Sequence, residues 1–370
     1  MNKFIKILRK IDWIACIAIL LLVSLSLLLI YSTSTSTSGS LDYTNLKKQI
    51  LAISIGIVLF FLLVFVDYKI FKNYAYLLYG LMILTLVSVL IFGSEIRGTK
   101  GWFNFGFFQF QPAELAKIVL LIILAKYFAS ISGKLSIFRH IIVSGLITLL
   151  PVALVMMQPD FGSALVLLFL WIIMLVISGI RRSYLFILGG SGTLLGWILW
   201  QFIFKNYQRE RILTFINPNR DPLGSGYNII QSKIAVGSGG LVGKGLGYGS
   251  QSQLKFLPAQ QTDFIFAVLS EELGFIGGVL LLVLFFILLI RIVNISKNSR
   301  DEFGLMIGIG AVLIIIFQVI VNVGMNMGLL PVTGIPLPFV SYGGSSLISI
   351  LILMGILQSI YIRNKGLSFE

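Results

Sequence analysis

Apolar stretches of about twenty residues alternate with short polar intervals along almost the whole chain, over roughly 11–30, 49–66, 74–92, 112–129, 140–158, 161–180, 183–204, 263–293, 303–329 and 340–362. Twenty helical residues rising about 1.5 Å each cover a hydrocarbon core about 30 Å thick. Each stretch therefore predicts one membrane-spanning helix. The pattern describes an all-α polytopic membrane protein with about ten transmembrane helices. The longest polar interval, about 205–262, lies between helices 7 and 8. It is rich in glycine and broken by scattered apolar residues, which leaves too little continuous apolar surface for a separate soluble core. Residues 1–370 are read as one membrane domain.

Composition agrees, with 57% of the 370 residues hydrophobic and 11% charged. A net charge of +14 raises the question of a nucleic-acid partner. No long basic run or aromatic–basic platform accompanies it, so no nucleic acid is expected. Topology accounts for the cations instead. With the N-terminus in the cytoplasm, the inside intervals collect sixteen Lys and Arg, against Lys47, Lys48, Arg97 and Lys100 in the short outside loops. That excess places both termini in the cytoplasm and the 205–262 loop outside it. The basic N-terminus and first apolar run have the outline of a signal peptide, but the run is too long and no small-residue cleavage site follows, so a retained span is expected. The tract STSTSTSGS at 32–40 reads as a flexible outside loop. The single Cys16 excludes an intrachain disulfide, and the single His140 excludes a multi-histidine zinc site and argues against a Ser-His-Asp triad.

A carboxylate in hydrocarbon needs a partner or water, so the acids at or inside span boundaries are informative. Glu114 and Lys117, three apart on the fourth span, share one helical face, either as a structural ion pair or as substrate-binding groups. Asp160, after Pro159, is expected to cap the next helix. Glu271 and Glu272 lie within the eighth span and either line an internal cavity or bond between helices. Asp263, at the mouth of that span, is on residue type alone an N-cap rather than a general base. The glycine-rich GSGGLVGKGLGYGS, 237–250, fails the Walker pattern, since Ser238 and Gly245 stand where Gly and Ser/Thr are required. Its backbone N–H groups and Lys244 would suit a pyrophosphate, but a flexible surface loop is the simpler reading.

Two stretches, KFLPAQQTDFIFAVLSEELGFIG (255–277) and NMGLLPVTGIPLPFVSYGGSS (326–346), resemble the SEDS family of shape, elongation, division and sporulation proteins. RGTKGW (97–102), QPAELAK (111–117), QPDFGSAL (158–165) and YNIIQSKIAVGSGGLVGKGLGYGSQSQLKFLP (227–258) extend the similarity over nearly the whole chain. The style of QSKIAVGSGG, QSQLKFLP and PVTGIPLPFVSYGG is that of the RodA, or elongation, branch rather than the FtsW, or division, branch. The resemblance implies a peptidoglycan glycosyltransferase of the cytoplasmic membrane that joins lipid II into β-1,4 glycan strands on its outer face. It also implies a class B penicillin-binding protein and other elongation-complex membrane proteins as partners. The family's essential aspartate falls on Asp263, which makes that residue the expected catalytic base. Its conserved pair falls on Glu114 and Lys117, and its outer-loop tryptophan on Trp102. Lys100, Lys244, Gln261 and Ser341 complete the expected substrate-binding set. The chain departs from the family at Gln261, usually His, and Gly101, usually Arg, for which Lys100 is a candidate substitute. A single inverting displacement of polyprenyl pyrophosphate needs no resident metal, though a divalent Mg or Mn ion would suit the leaving group. The competing readings are a lipid II flippase, for which a midplane site and repeated halves are expected, and a non-catalytic scaffold.

Overall fold

The structure, a computed structural model, describes residues 9–34, 42–96, 98–106, 109–131, 138–180 and 224–364, with scattered positions between 183 and 217. The elements run α1 (Trp13–Ser32), α2 (Thr44–Phe65), α3 (Tyr68–Asn73) and α4 (Ala75–Phe92), then β1 (Ser94–Ile96), β2 (Thr99–Asn104) and β3 (Gln109–Phe110). They continue as α5 (Pro112–Ser130), α6 (Phe138–Met157), α7 (Phe161–Ile177), α8 (Ser225–Ser238), α9 (Ser250–Gln253), α10 (Ile265–Lys297), α11 (Glu302–Asn326) and α12 (Gly344–Asn364). The expected seventh span, 183–204, lies mostly outside the described residues, and each of the other nine falls on a helix.

Among the described residues seven helices, α1, α2, α4, α6, α10, α11 and α12, are long and apolar enough to cross a membrane, so this is a multi-pass membrane protein. Helix α5 has the length but carries Glu114, Lys117 and Lys126, and α7 stops at 17 residues. Helices α5, α11 and α12 form the buried centre, whereas α4 presents Leu77, Leu84, Ile91 and Phe92 outward. Such exposure is stable where the solvent is lipid, whose tails are as apolar as leucine. Helix α2 packs along α12, α10 against α11 and α1, and α5 against α4 and α11.

Helix α1 is fastened to α10 at both of its own ends. Asp12 caps α1 by accepting from the Ala15 N–H at 3.2 Å and pairs with Arg291 at 2.7 Å. Ser32, at the opposite end of α1, donates to Glu272 at 2.7 Å. The two helices therefore run antiparallel in fixed register.

Helix α10 is interrupted at Gly274, whose φ of 66° and ψ of −163° suit glycine alone. The glycine-rich loop between α8 and α9 fills the break with backbone hydrogen bonds. The N–H groups of Lys244 and Gly245 donate to the carbonyls of Glu271 and Glu272, each at 3.0 Å. Phe275 and Ile276 donate in return to Gly240 at 2.9 Å and Leu241 at 3.1 Å. A Cβ at Gly243 would collide with the Glu272 carbonyl, so this close approach is what the glycine permits. The small antiparallel sheet pairs Ser94 with Trp102 and Phe103 with Phe110, and hangs over the same end of the bundle as the start of α5.

Candidate active site

A cavity of about 580 Å³ opens between the sheet, the first turns of α5 and α7, the turn before α10 and the segment 331–344. Its wall includes Trp102, Glu114, Lys117 and Asp263, four of the expected site residues, and also Lys48, Asp160, Thr262, Thr333 and Tyr342.

Asp263 is half-buried in the turn that leads into α10. The cap reading does not describe that turn, because the N-cap position falls on Phe264, without a capping side chain. Two asparagines on α11 hold the turn instead. Asn322 and Asn326 both donate to the Asp263 carbonyl, at 3.2 and 3.0 Å. Asn326 also accepts from the Ala267 N–H at 3.0 Å, satisfying a first-turn donor of α10 from outside the helix. Opposite the carboxylate lies Gly334, where φ is +74° and a Cβ would stand 3.9 Å from Asp263 Oδ2. The main chain thus passes close to the carboxylate without a side chain between them.

Glu114 and Lys117 are both buried and pair at 2.7 Å on the first turns of α5. The helix begins with Pro112 at its start and carries Glu114 where the exposed N–H groups favour a negative charge. Asp160 caps α7 by accepting from the Ser163 N–H at 2.9 Å and accepts from Gln111 at 2.9 Å. Burial raises its carboxyl above the ordinary carboxylate range, against the Ser163 hydrogen bonds that pull it down.

The remaining expected residues stand off the cavity wall. Ser341 is buried, donates to the Thr262 carbonyl at 2.6 Å and accepts from the Leu337 N–H at 2.9 Å, so it latches the proline-rich segment to the turn bearing Asp263. Gln261 receives a hydrogen bond from Asn45 at 2.7 Å and donates to the Thr33 carbonyl at 3.2 Å, tying the same turn to α1 and α2. Lys244 pairs with Glu271 at 3.0 Å, away from the cavity, and Lys100 is exposed on β2. Gly101 is buried on β2, and a Cβ there would sit 3.1 Å from Gln158 Oε1, an oxygen with no partner among the described residues.

Glu271 and Glu272 are absent from the cavity wall as well. Glu271 accepts from the N–H groups of Gln251 and Ser252 at 2.8 and 3.0 Å, besides Lys244. Glu272 accepts from Ser32 and from the Gly247 N–H at 3.2 Å. Both acids fasten the glycine-rich loop.

Sequence reasoning missed Lys48, Thr333, Asn322 and Asn326 as parts of this region. Lys48 appeared as a topology charge, and the asparagines, four apart near the end of a span, carried the unread signal of paired amides on one helical face. Among the described residues no group of three or more His, Cys, Asp or Glu gathers as a metal site. A divalent ion here would have to share its ligands between the cavity carboxylates and a phosphate-bearing substrate.

The bundle and its end-on cavity define a multi-pass membrane protein with an acidic and basic site at one end. The chain belongs to the FtsW/RodA/SpoVE family of cell cycle proteins, whose family model matches residues 12–366. It is 39% identical over 330 residues to the peptidoglycan glycosyltransferase MrdB of Escherichia coli K12, covering 88% of each chain. Its fold is similar to that of the Thermus thermophilus rod shape determining protein RodA, with a TM-score of 0.70, 30% identity, and coverage of 97% of this chain and 98% of that one. A chain from a peptidoglycan synthase complex that coordinates polymerisation and crosslinking gives a TM-score of 0.82 at 35% identity, covering 96% and 99%.

Proposed function

We propose that this protein is a peptidoglycan glycosyltransferase that polymerises lipid II into β-1,4 glycan strands at the outer face of the cytoplasmic membrane. The observation that carries the reading is the Asp263 carboxylate on the wall of a cavity that also presents Lys48, Lys117 and Trp102. In this reading the chain crosses the membrane ten times with both termini in the cytoplasm, and the 205–262 loop lies outside. The cavity then faces the leaflet from which a lipid-linked sugar presents its pyrophosphate.

The anomeric carbon of the donor bears an α-linked pyrophosphate. Attack by the acceptor 4-hydroxyl forms the new C–O bond as the bond to pyrophosphate breaks, and one inversion gives the β linkage. Asp263 takes the hydroxyl proton as the transition state forms. Lys48, and Lys117 held in place by Glu114, oppose the negative charge that grows on the departing pyrophosphate. The polyprenyl tail stays in lipid throughout, and no covalent enzyme intermediate is formed. The likeness to a chain from a synthase complex supports a crosslinking partner, a class B penicillin-binding protein.

The test is polymerisation of labelled lipid II by purified wild type and Asp263→Ala, matched by thermal melting, with and without the transpeptidase. Glycan strands from wild type and none from the variant are expected. Equal strands from both remove Asp263 as the base, and none from either, partner present, favours a carrier of lipid II or a non-catalytic scaffold.

A further inference from the structure

The register between α1 and α10 fixes the depth of the glycine-rich loop. Helix α1 has 20 residues, about 30 Å at 1.5 Å per residue, which matches the hydrocarbon core. Its two ends are level with Arg291 and Glu272 of α10. Those two residues are nineteen positions apart, about 28 Å by the same rise. The hydrocarbon therefore ends near Glu272 on the side of Asp263, and Gly274 lies about 3 Å within it.

The loop is hydrogen-bonded to α10 at that break, so its tip is at the same level. Leu241 and Val242 form the tip and are 72% and 74% exposed, beside Phe275 and Ile276 of α10 at 65% and 60%. Phe275 and Ile276 belong to a membrane-spanning helix, and the carbonyl of Leu241 accepts from the N–H of Ile276 at 3.1 Å. All four side chains are apolar and exposed, on two stretches of chain that are hydrogen-bonded side by side. Lys244 is the sole charge between residues 237 and 249, and Glu271 engages it, so no free cation or anion holds the tip in water.

We infer that the glycine-rich loop is a membrane anchor whose tip, Leu241 and Val242, lies against lipid acyl chains at the edge of the hydrocarbon core. Burying apolar side chains in acyl chains at this shallow depth is the usual way in which interfacial segments hold to a bilayer. Anchored there, the loop braces the first two turns of α10, which project about 13 Å beyond the hydrocarbon edge and end at Asp263.

Single cysteines test this in a Cys16→Ala background, at Leu241→Cys and Val242→Cys, with Phe275→Cys as the lipid-facing reference and Lys100→Cys as the aqueous one. Each carries a small fluorophore in liposomes and is quenched either by lipids brominated near the top of the acyl chain or by aqueous iodide. Bromolipid quenching at 241 and 242 equal to that at 275, with protection from iodide, is expected. Iodide quenching equal to that at 100, without bromolipid quenching, overturns the anchor. In native membranes, without purification, a water-soluble maleimide is expected to alkylate 241 and 242 at least about ten-fold more slowly than 100, because the thiolate forms in water. Equal rates again overturn it. Neither measurement reads catalysis, so the outcome is separate from that of the Asp263 test.

Discussion

Asp263 and Glu271 stand eight positions apart on the same segment, yet one faces a cavity and the other does not. Glu271 is fully buried and accepts from two backbone N–H groups and Lys244, so its charge is consumed in holding a loop. At Asp263 the backbone carbonyl is held by Asn322 and Asn326, and the carboxylate stands on a cavity wall beside a glycine. A carboxylate saturated by fixed donors is stabilised in its charged form and is a poor proton acceptor. One whose main chain is clamped and whose side chain meets a cavity suits proton transfer. The same contrast divides the two lysine–glutamate pairs. Glu114 and Lys117 line the cavity, whereas Glu271 and Lys244 lock the glycine-rich loop.

The contrast breaks first at Asp263→Asn. This change keeps size and polarity and is expected to lower the polymerisation rate about 10²- to 10⁴-fold, with an unchanged melting temperature. The second effect falls on stability. Glu271→Ala leaves the Gln251 and Ser252 N–H groups without their acceptor and is expected to cost about 3 kcal/mol, seen as a lower melting temperature and reduced monodisperse yield. Activity per folded molecule should change far less than in Asp263→Asn. A smaller effect sharpens the division. Asn326→Ala removes the bonds to the Asp263 carbonyl and the Ala267 N–H, and about 1.4 kcal/mol lost from positioning gives a roughly ten-fold fall in kcat with KM little changed.

The smallest concerns Asp160. Its folded-state carboxyl is raised from the ordinary 3.8, so the folded protein binds this proton more tightly than the unfolded chain does. The stabilising contribution is present below 3.8 and is lost as pH rises through the raised value. Asp160→Asn removes that dependence. Relative to wild type it should lose least stability at neutral pH and most in acid, as read by melting across that range.

The spans were legible because hydropathy over twenty residues is a strong, local signal. The sheet over residues 94–110 was not, since its strands of three, six and two residues carry no readable alternation. In the site, Glu114 with Lys117 could be read because i, i+3 neighbours on a helix must meet. Lys244 with Glu271 could not, because their sequence separation of twenty-seven hides a contact that depends on the break at Gly274. The glycines of 237–250 suggested close backbone approach to a ligand, and the close approach exists, but to the chain's own helix. Asp263 illustrates the limit of residue type. An aspartate before a helix reads as a cap, and the asparagines that do the holding come from a helix some sixty residues later.

The double fastening of α1 to α10 has a consequence for the choice of membrane. Because Asp12–Arg291 and Ser32–Glu272 fix both ends, neither helix can slide along the other to match a thicker or thinner bilayer. The accommodation to mismatch must then come from the lipid or from tilting of the pair as one body. Acyl-chain length thereby becomes a variable that sets how far Asp263 stands from the headgroups.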